Sequence, residues 1–205
     1  IQNKCICVHD CINKKHIIMK TTKFLSIAIV FTLLFGSAVF AQKEKTVMVG
    51  GAPMYPSKNI IENAMNSKDH TTLVAAIKAA DLVTTLQGKG PFTVFAPTNE
   101  AFAKLPKGTV ETLLKPENKS KLQSILTYHV VAGKMNSADI AKAIKKGNGK
   151  AVLATVQGGK LTAWMDGKTL YITDENGNKS KVTIADVNQS NGVIHVVDTV
   201  VMPKA

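Results

Sequence analysis

The chain has 205 residues and a formal charge of +12, with 26 basic side chains, all lysine, against 14 acidic ones. Lacking arginine, it has no planar fork for bidentate contact with phosphate or guanine, which argues against a nucleic-acid reader. Its 3 cysteines, Cys5, Cys7 and Cys11, all lie near the start, so the rest of the chain can hold neither a disulfide nor a thiol nucleophile.

Met19 to Ala41 has the three-part layout of a secretory signal peptide. Lys20 and Lys23 come first, then an apolar run from Phe24 to Phe35 relieved by Ser26 and Thr32, then a small-residue stretch ending at Ala41. Val39 and Ala41 suit the positions before a cleavage at Gln42, with Ala38 as a second choice. The apolar run is shorter than the roughly 20 residues of a spanning helix, so no membrane span is expected after cleavage. Residues 1–18 then read as upstream sequence carried through in frame. Their C-x-C-x3-C spacing, with His9 and His16 nearby, has no flanking fold to hold a metal. Residues 42–57 read as a flexible leader, broken by Gly50-Gly51, Pro53 and Pro56. One domain is expected over 58–205.

Within that domain the first half is helical by period. Lys58 to Asn66 places Ile60, Ile61, Ala64 and Met65 at helical spacing, and Thr71 or Thr72 opens a second helix through Leu73, Val74, Ile77 and Ala80. Asp81 is the expected cap of a short helix over Leu82 to Leu86, which stops at Gly88. Gly90-Pro91 then starts a buried strand through Phe92 and Ala96, and Thr98 caps the next helix, with Glu100 in its first turn. Short helices follow around Pro106-Lys107-Gly108 and after Pro116, the latter reaching about Ser124, while Leu126 to Val131 reads as apolar and β-branched. Ser137 is the expected cap of a helix over Ala138 to Ile144. From Ala151 the period drops to two, with five strand-like runs separated by Gly158-Gly159, Asp166-Gly167, Asn176-Gly177 and Asn191-Gly192. The class is α+β: a helical first half packed on an antiparallel second half that closes with a strand over Val193 to Val201.

Three segments, in order, resemble the fasciclin (FAS1) domain family from about Asn59 to Pro203. They are Phe92-Thr93-Val94-Phe95-Ala96-Pro97-Thr98-Asn99-Glu100-Ala101-Phe102, the central Tyr128-His129-Val130-Val131, and Asn191-Gly192-Val193-Ile194-His195-Val196-Val197-Asp198-Thr199-Val200-Val201-Met202-Pro203. The resemblance implies a β-sandwich-like wedge with helices packed on it, in a single-domain module of the secreted bacterial type. It also implies a role in adhesion or matrix attachment, outside the cell or in the periplasm, with a surface protein or polysaccharide as partner. By the same resemblance Tyr128 and His129 are the candidate binding residues.

The residues themselves carry little chemistry. His129, beside an apolar strand, and His195, alternating with Val193 and Val197, suit structural roles, and His70 reads as a loop residue. The three show no metal-ligand spacing. No nucleophile motif, paired-carboxylate site or phosphate loop is present, so neither catalysis nor a cofactor is expected. Trp164 and Tyr171 on neighbouring strands admit two readings, an aromatic ledge for a sugar or ordinary cross-strand packing. The alternative to adhesion is a carrier or sensor with an apolar cavity between helices and sheet.

Overall fold

Gly50 and Gly51, which read as breakers in the sequence, are the turn of a hairpin. In the computed structural model, which describes residues 45–204, both have positive φ (59° and 75°), the conformation that a tight two-residue hairpin turn requires. They join β1 (Val47–Val49) to β2 (Ala52–Met54) in antiparallel register, Val47 opposite Met54. Val49 and Met54 are 1% and 2% exposed and belong to the core. The expectation of a flexible leader over 42–57 is therefore corrected for this stretch. Period-two reasoning missed it because each strand has only three residues. The proposed signal peptide and residues 1–18 lie outside the described residues.

The helices follow their local signals with a few corrections. Asn59 and Glu62 form a reciprocal capping box on α1 (Ile60–Ala64): Glu62 N–H donates to Asn59 Oδ1 and Asn59 N–H to Glu62 Oε2, both at 2.9 Å. A 3-10 turn, Lys68–His70, leads into α2 (Thr71–Ala79). Asp81 does not cap α3 (Val83–Gln87). Its backbone is left-handed, φ 54°, and its carboxylate pairs with Lys119. Thr98 does cap α4 (Asn99–Ala103), accepting from Ala101 N–H at 3.3 Å. After α5 (Thr109–Leu113), a 3-10 turn at Pro116–Asn118 feeds α6 (Lys119–Tyr128). This helix continues through Leu126 to Tyr128, past the expected end near Ser124, because Leu122, Ile125 and Leu126 recur at helical spacing and are buried as one stripe. On α7 (Ser137–Lys146) the cap is Asn136, which accepts from Asp139 N–H at 2.9 Å, rather than Ser137.

The sheet has seven strands in the order β4-β3-β9-β8-β7-β6-β5. They are β3 (Phe92–Pro97), β4 (Val130–Ala132), β5 (Lys150–Ala154), β6 (Lys160–Asp166), β7 (Thr169–Thr173), β8 (Lys179–Gln189) and β9 (Gly192–Val197). All neighbours are antiparallel except β3 and β9, which run parallel from Phe92 opposite Gly192 to Pro97 opposite Val197. The expected antiparallel sheet is thus a mixed one, and its last strand ends at Val197. A parallel neighbour needs a long crossover, here everything between β3 and β9, and such distant pairing leaves no trace in local sequence period. The sheet curls until its two ends meet: Val131 bridges Thr155, and Val156 N–H donates to Val130 O at 2.8 Å. The result is a barrel-like wedge.

Two cores follow from the alternation of side chains along β3 and β9. Val94, Ala96, Ile194 and Val196 face the helices with Leu73, Ile77 and Leu126. Phe95 and Val197 face into the curl, where they meet Tyr128, Ile140, Leu161 and Ile172. Met54→Ala tests the hairpin's place in the first core. Deleting a buried methionine side chain costs about 2–5 kcal/mol, read as a lowered urea midpoint with unchanged slope. A loosely attached leader would leave the midpoint where it was.

Candidate functional site

Tyr128 and His129, the expected contact residues, sit at the corner where α6 ends and β4 begins, and both are inside the molecule. Tyr128 is fully buried, its ring in the core of the wedge. Its hydroxyl donates to Lys160 O at 2.7 Å and accepts from Glu175 N–H at 3.2 Å. Burial, helped by the nearby carboxylates of Glu175 and Asp174, raises its pKa to about 12. Gly159 packs against the ring so closely that a Cβ there would come within 2.7 Å of Cε2, so any larger residue at 159 would displace it.

His129 is 3% exposed. Its Nδ1 lies 2.8 Å from Ile125 O, one turn back in α6, and its Nε2 accepts from Val201 N–H at 3.3 Å. An imidazole that accepts at Nε2 must carry its proton at Nδ1 and be neutral. Burial enforces this by lowering the pKa to about 4. With both ring nitrogens and the Tyr128 hydroxyl engaged by backbone, the pair presents no polar group to a partner. The two side chains knit α6, the β6–β7 hairpin and the C-terminal segment together. Asp174, unremarkable in the sequence, completes the knot. Its carboxylate accepts from Asn176, Asn178 and Met202 N–H groups at 2.8–3.0 Å. The spacing Asp174-Glu175-Asn176-Gly177-Asn178 marks a turn of this kind.

Of the other histidines, His195 is engaged at both ring nitrogens, whereas the buried Nε2 of His70 has no hydrogen-bond partner among the described residues. His195 is fully buried and stacks on Phe95 with centroids 5.6 Å apart. Its Nδ1 accepts from Asp186 N–H at 3.3 Å, which leaves Nε2 to donate to Met135 O at 2.9 Å. Burial lowers its pKa, as it does that of His70, whose Nδ1 meets the Ser67 hydroxyl at 2.9 Å. Ser137, Asp186 and His195 have the residue types of a nucleophile system but the wrong connections. The Ser137 hydroxyl donates to the Asp186 carboxylate and not to the imidazole, and the imidazole has no free nitrogen to act as base. Asp186, held at φ 60° in a bulge of β8, serves instead to hold the start of α7, accepting from Ser137 N–H at 2.6 Å. Among the described residues no cluster of three or more His, Cys, Asp or Glu could hold a metal ion, and no helix is long and apolar enough to cross a membrane.

Between helices and sheet, where a carrier would need its cavity, Leu73, Ile77, Val94, Leu126 and Ile194 enclose a void of only about 20 Å³. Small-molecule sites run to roughly 300–1,000 Å³. A wider cleft of about 490 Å³ lies along α7 and β6–β8, but it is open and lined by Ser137, Lys168, Thr169 and Lys181 as well as Met165 and Leu170.

Two measurements test the corner. Tyr128→Phe leaves Lys160 O and Glu175 N–H without their partner and is expected to cost about 1–3 kcal/mol in urea unfolding. The His129 effect has a definite sign. Below pH 6.5 the unfolded chain takes up a proton that the folded chain refuses until about pH 4, so stability present above 6.5 falls as pH falls through that window. Between pH 7 and 5 the loss from this group is on the order of 2 kcal/mol, with His70 and His195 acting in the same direction. His129→Asn should start less stable at pH 7 and lose less on acidification; an unchanged pH slope would refute the assignment.

Residues 68–203 match the model of the fasciclin domain. Protein sll1483 of Synechocystis sp. is 48% identical over 161 residues, covering 78% of this chain and 82% of its own length. Immunogenic protein MPB70 of Mycobacterium bovis is 38% identical over 147 residues, covering 69% of this chain and 67% of its own length. A solved structure of a FAS1 domain pair from the insect cell adhesion molecule Fasciclin I superposes with a TM-score of 0.63 at 19% identity, over 71% of this chain and 51% of that one, a likeness of fold. The sheet that closes on itself, the helical layer and the buried Tyr128-His129 corner are thus set in a known frame: this chain belongs to the fasciclin-domain family.

Proposed function

We propose that the protein is an exported adhesion or matrix-interaction module that binds a surface protein or polysaccharide through its exterior and does no chemistry on it. The observation that carries this reading is the filled interior. Tyr128 and His129 are buried and hydrogen-bonded, and the void behind the sheet is about 20 Å³. A fold with no room inside meets its partners with its surface, and here that surface is rich in lysine and free of arginine. The insect fasciclin, named as a cell adhesion molecule, supports the class of function, and the layout of residues 19–41 supports export. In this reading Tyr128 and His129 contribute by keeping the surface rigid.

The test is retention of the purified protein on immobilised matrix-type proteins and on anionic and neutral polysaccharides, at low and physiological salt. Retention on at least one surface at physiological salt is expected, and Tyr128→Phe, if it stays folded, should be retained equally well. No retention on any surface would overturn the reading.

A further inference from the structure

We propose that the outer face of strands β5–β8 is a binding platform for an acidic polysaccharide, one bearing carboxylate or sulfate groups; this deepens the adhesion reading and rests on it. Strand register brings the residues together. Lys150 is opposite Trp164, Trp164 opposite Tyr171, and Tyr171 opposite Lys181, which makes one row across four strands. The neighbouring row is Val152, Thr162, Thr173 and Lys179. These are the alternate positions to Leu161, Ala163, Leu170 and Ile172, which fill the core, so the rows face away from it.

Trp164 and Tyr171 stack with centroids 4.7 Å apart and planes 15° from parallel. Trp164 Nε1–H donates to Thr173 Oγ1 at 3.0 Å, fixing the indole, and Lys179 Nζ stands 5.4 Å from its centroid. Both rings are only half-buried, although cross-strand packing alone would be served as well by covered aromatics. Lys150, Lys179 and Lys181 are exposed, as is Lys160 one row further on, and none has an ion-pair partner among the described residues. Three carboxylates are close. Asp198, across from Lys181, accepts from Lys181 N–H at 2.9 Å. Asp166 is exposed at the hairpin end of β6, and Glu175 accepts from Lys160 N–H at the opposite end. The lysines of the two rows thus flank the aromatic pair on β5 and β8, and the carboxylates stand at the margins of the face.

The two outer lysines of the first row are three strand spacings apart, about 14 Å. A flexible anionic chain lying across the strands can stack a pyranose ring against the aromatic pair while its acidic groups reach lysines on either side. Lysine meets such groups as a compact point charge on a flexible stem, without fixed bidentate geometry. A lipid surface fits less well, because apart from the exposed Val152 the face offers threonines and lysines around a half-buried aromatic pair, too little apolar surface to enter a bilayer.

Trp164 is the protein's single tryptophan, so its fluorescence reports directly on this face. The purified protein is titrated with polygalacturonate, heparin, neutral dextran and phosphatidylserine vesicles at low and physiological salt. A salt-sensitive change in tryptophan emission with one or both acidic polysaccharides, and none with dextran, is expected. Lys179→Gln with Lys181→Gln should weaken binding by about tenfold, whereas the charge-matched distant pair Lys115→Gln with Lys121→Gln changes it by no more than about twofold. Tyr171→Thr, which keeps strand propensity, should weaken it as well. Equal loss from both lysine pairs, a response to vesicles alone, or no response to either acidic polymer would overturn the proposal. Retention on immobilised proteins alongside a silent tryptophan would reject this face and leave the adhesion reading standing.

Discussion

Everything in this domain converges on one buried corner where a helix hands the chain to a strand. His129 ends α6, bonds back to Ile125 and accepts from Val201 N–H, while Tyr128 beside it reaches Lys160 and Glu175. Four backbone groups from four parts of the chain are thereby satisfied by two adjacent side chains. A buried amide or carbonyl without a partner costs more than a made bond returns, so these contacts act chiefly as a specification. They determine where the C-terminal segment lies against the wedge, and with it the path of β9 beside β3. The neutrality of His129 is part of that specification, because a second ring proton would face an N–H.

This arrangement explains why Tyr128 and His129 turn no polar group toward the exterior. The interior is occupied by the packing that holds the fold, and the polar groups inside it are turned toward backbone. Polar side chains without a backbone partner are thereby left chiefly to the exposed faces. The outer sheet face shows how this works: inward positions of β5–β8 are Ala151, Leu153, Leu161, Ala163 and Ile172, while outward positions carry lysine, threonine and the aromatic pair. One strand pattern builds both the core and the proposed binding face.

Much of the fold was legible in local signals. The Thr98 cap, the strand from Phe92 and the hairpin punctuation at Asp166-Gly167 and Asn176-Gly177 all depend on interactions between near neighbours, and these the sequence displays. The parallel pairing of β3 with β9 was not legible, since it joins residues about a hundred positions apart. Nor was the hairpin at Gly50-Gly51, whose strands are too short to show a period. Leu126 to Val131 was misleading because an apolar, β-branched run of that length suits either a helix end or a strand, and only packing against α2 and β3 decides between them. For the site, the resemblance pointed to Tyr128 and His129 as binding residues, but local sequence could not show that both face inward. Trp164 and Tyr171 were visible as a pair, while the lysines flanking them became a row only through register.

The closure of the sheet at Val131 and Thr155 has a further consequence. An open sheet has two rims of unused amide and carbonyl groups, and such rims recruit stray strands from other molecules, whether in productive complexes or in fibres. Here the outermost strands spend part of that bonding capacity on each other. A partner is left to recognise side chains, and a protein displayed at high local density gains some protection against knitting itself into its neighbours.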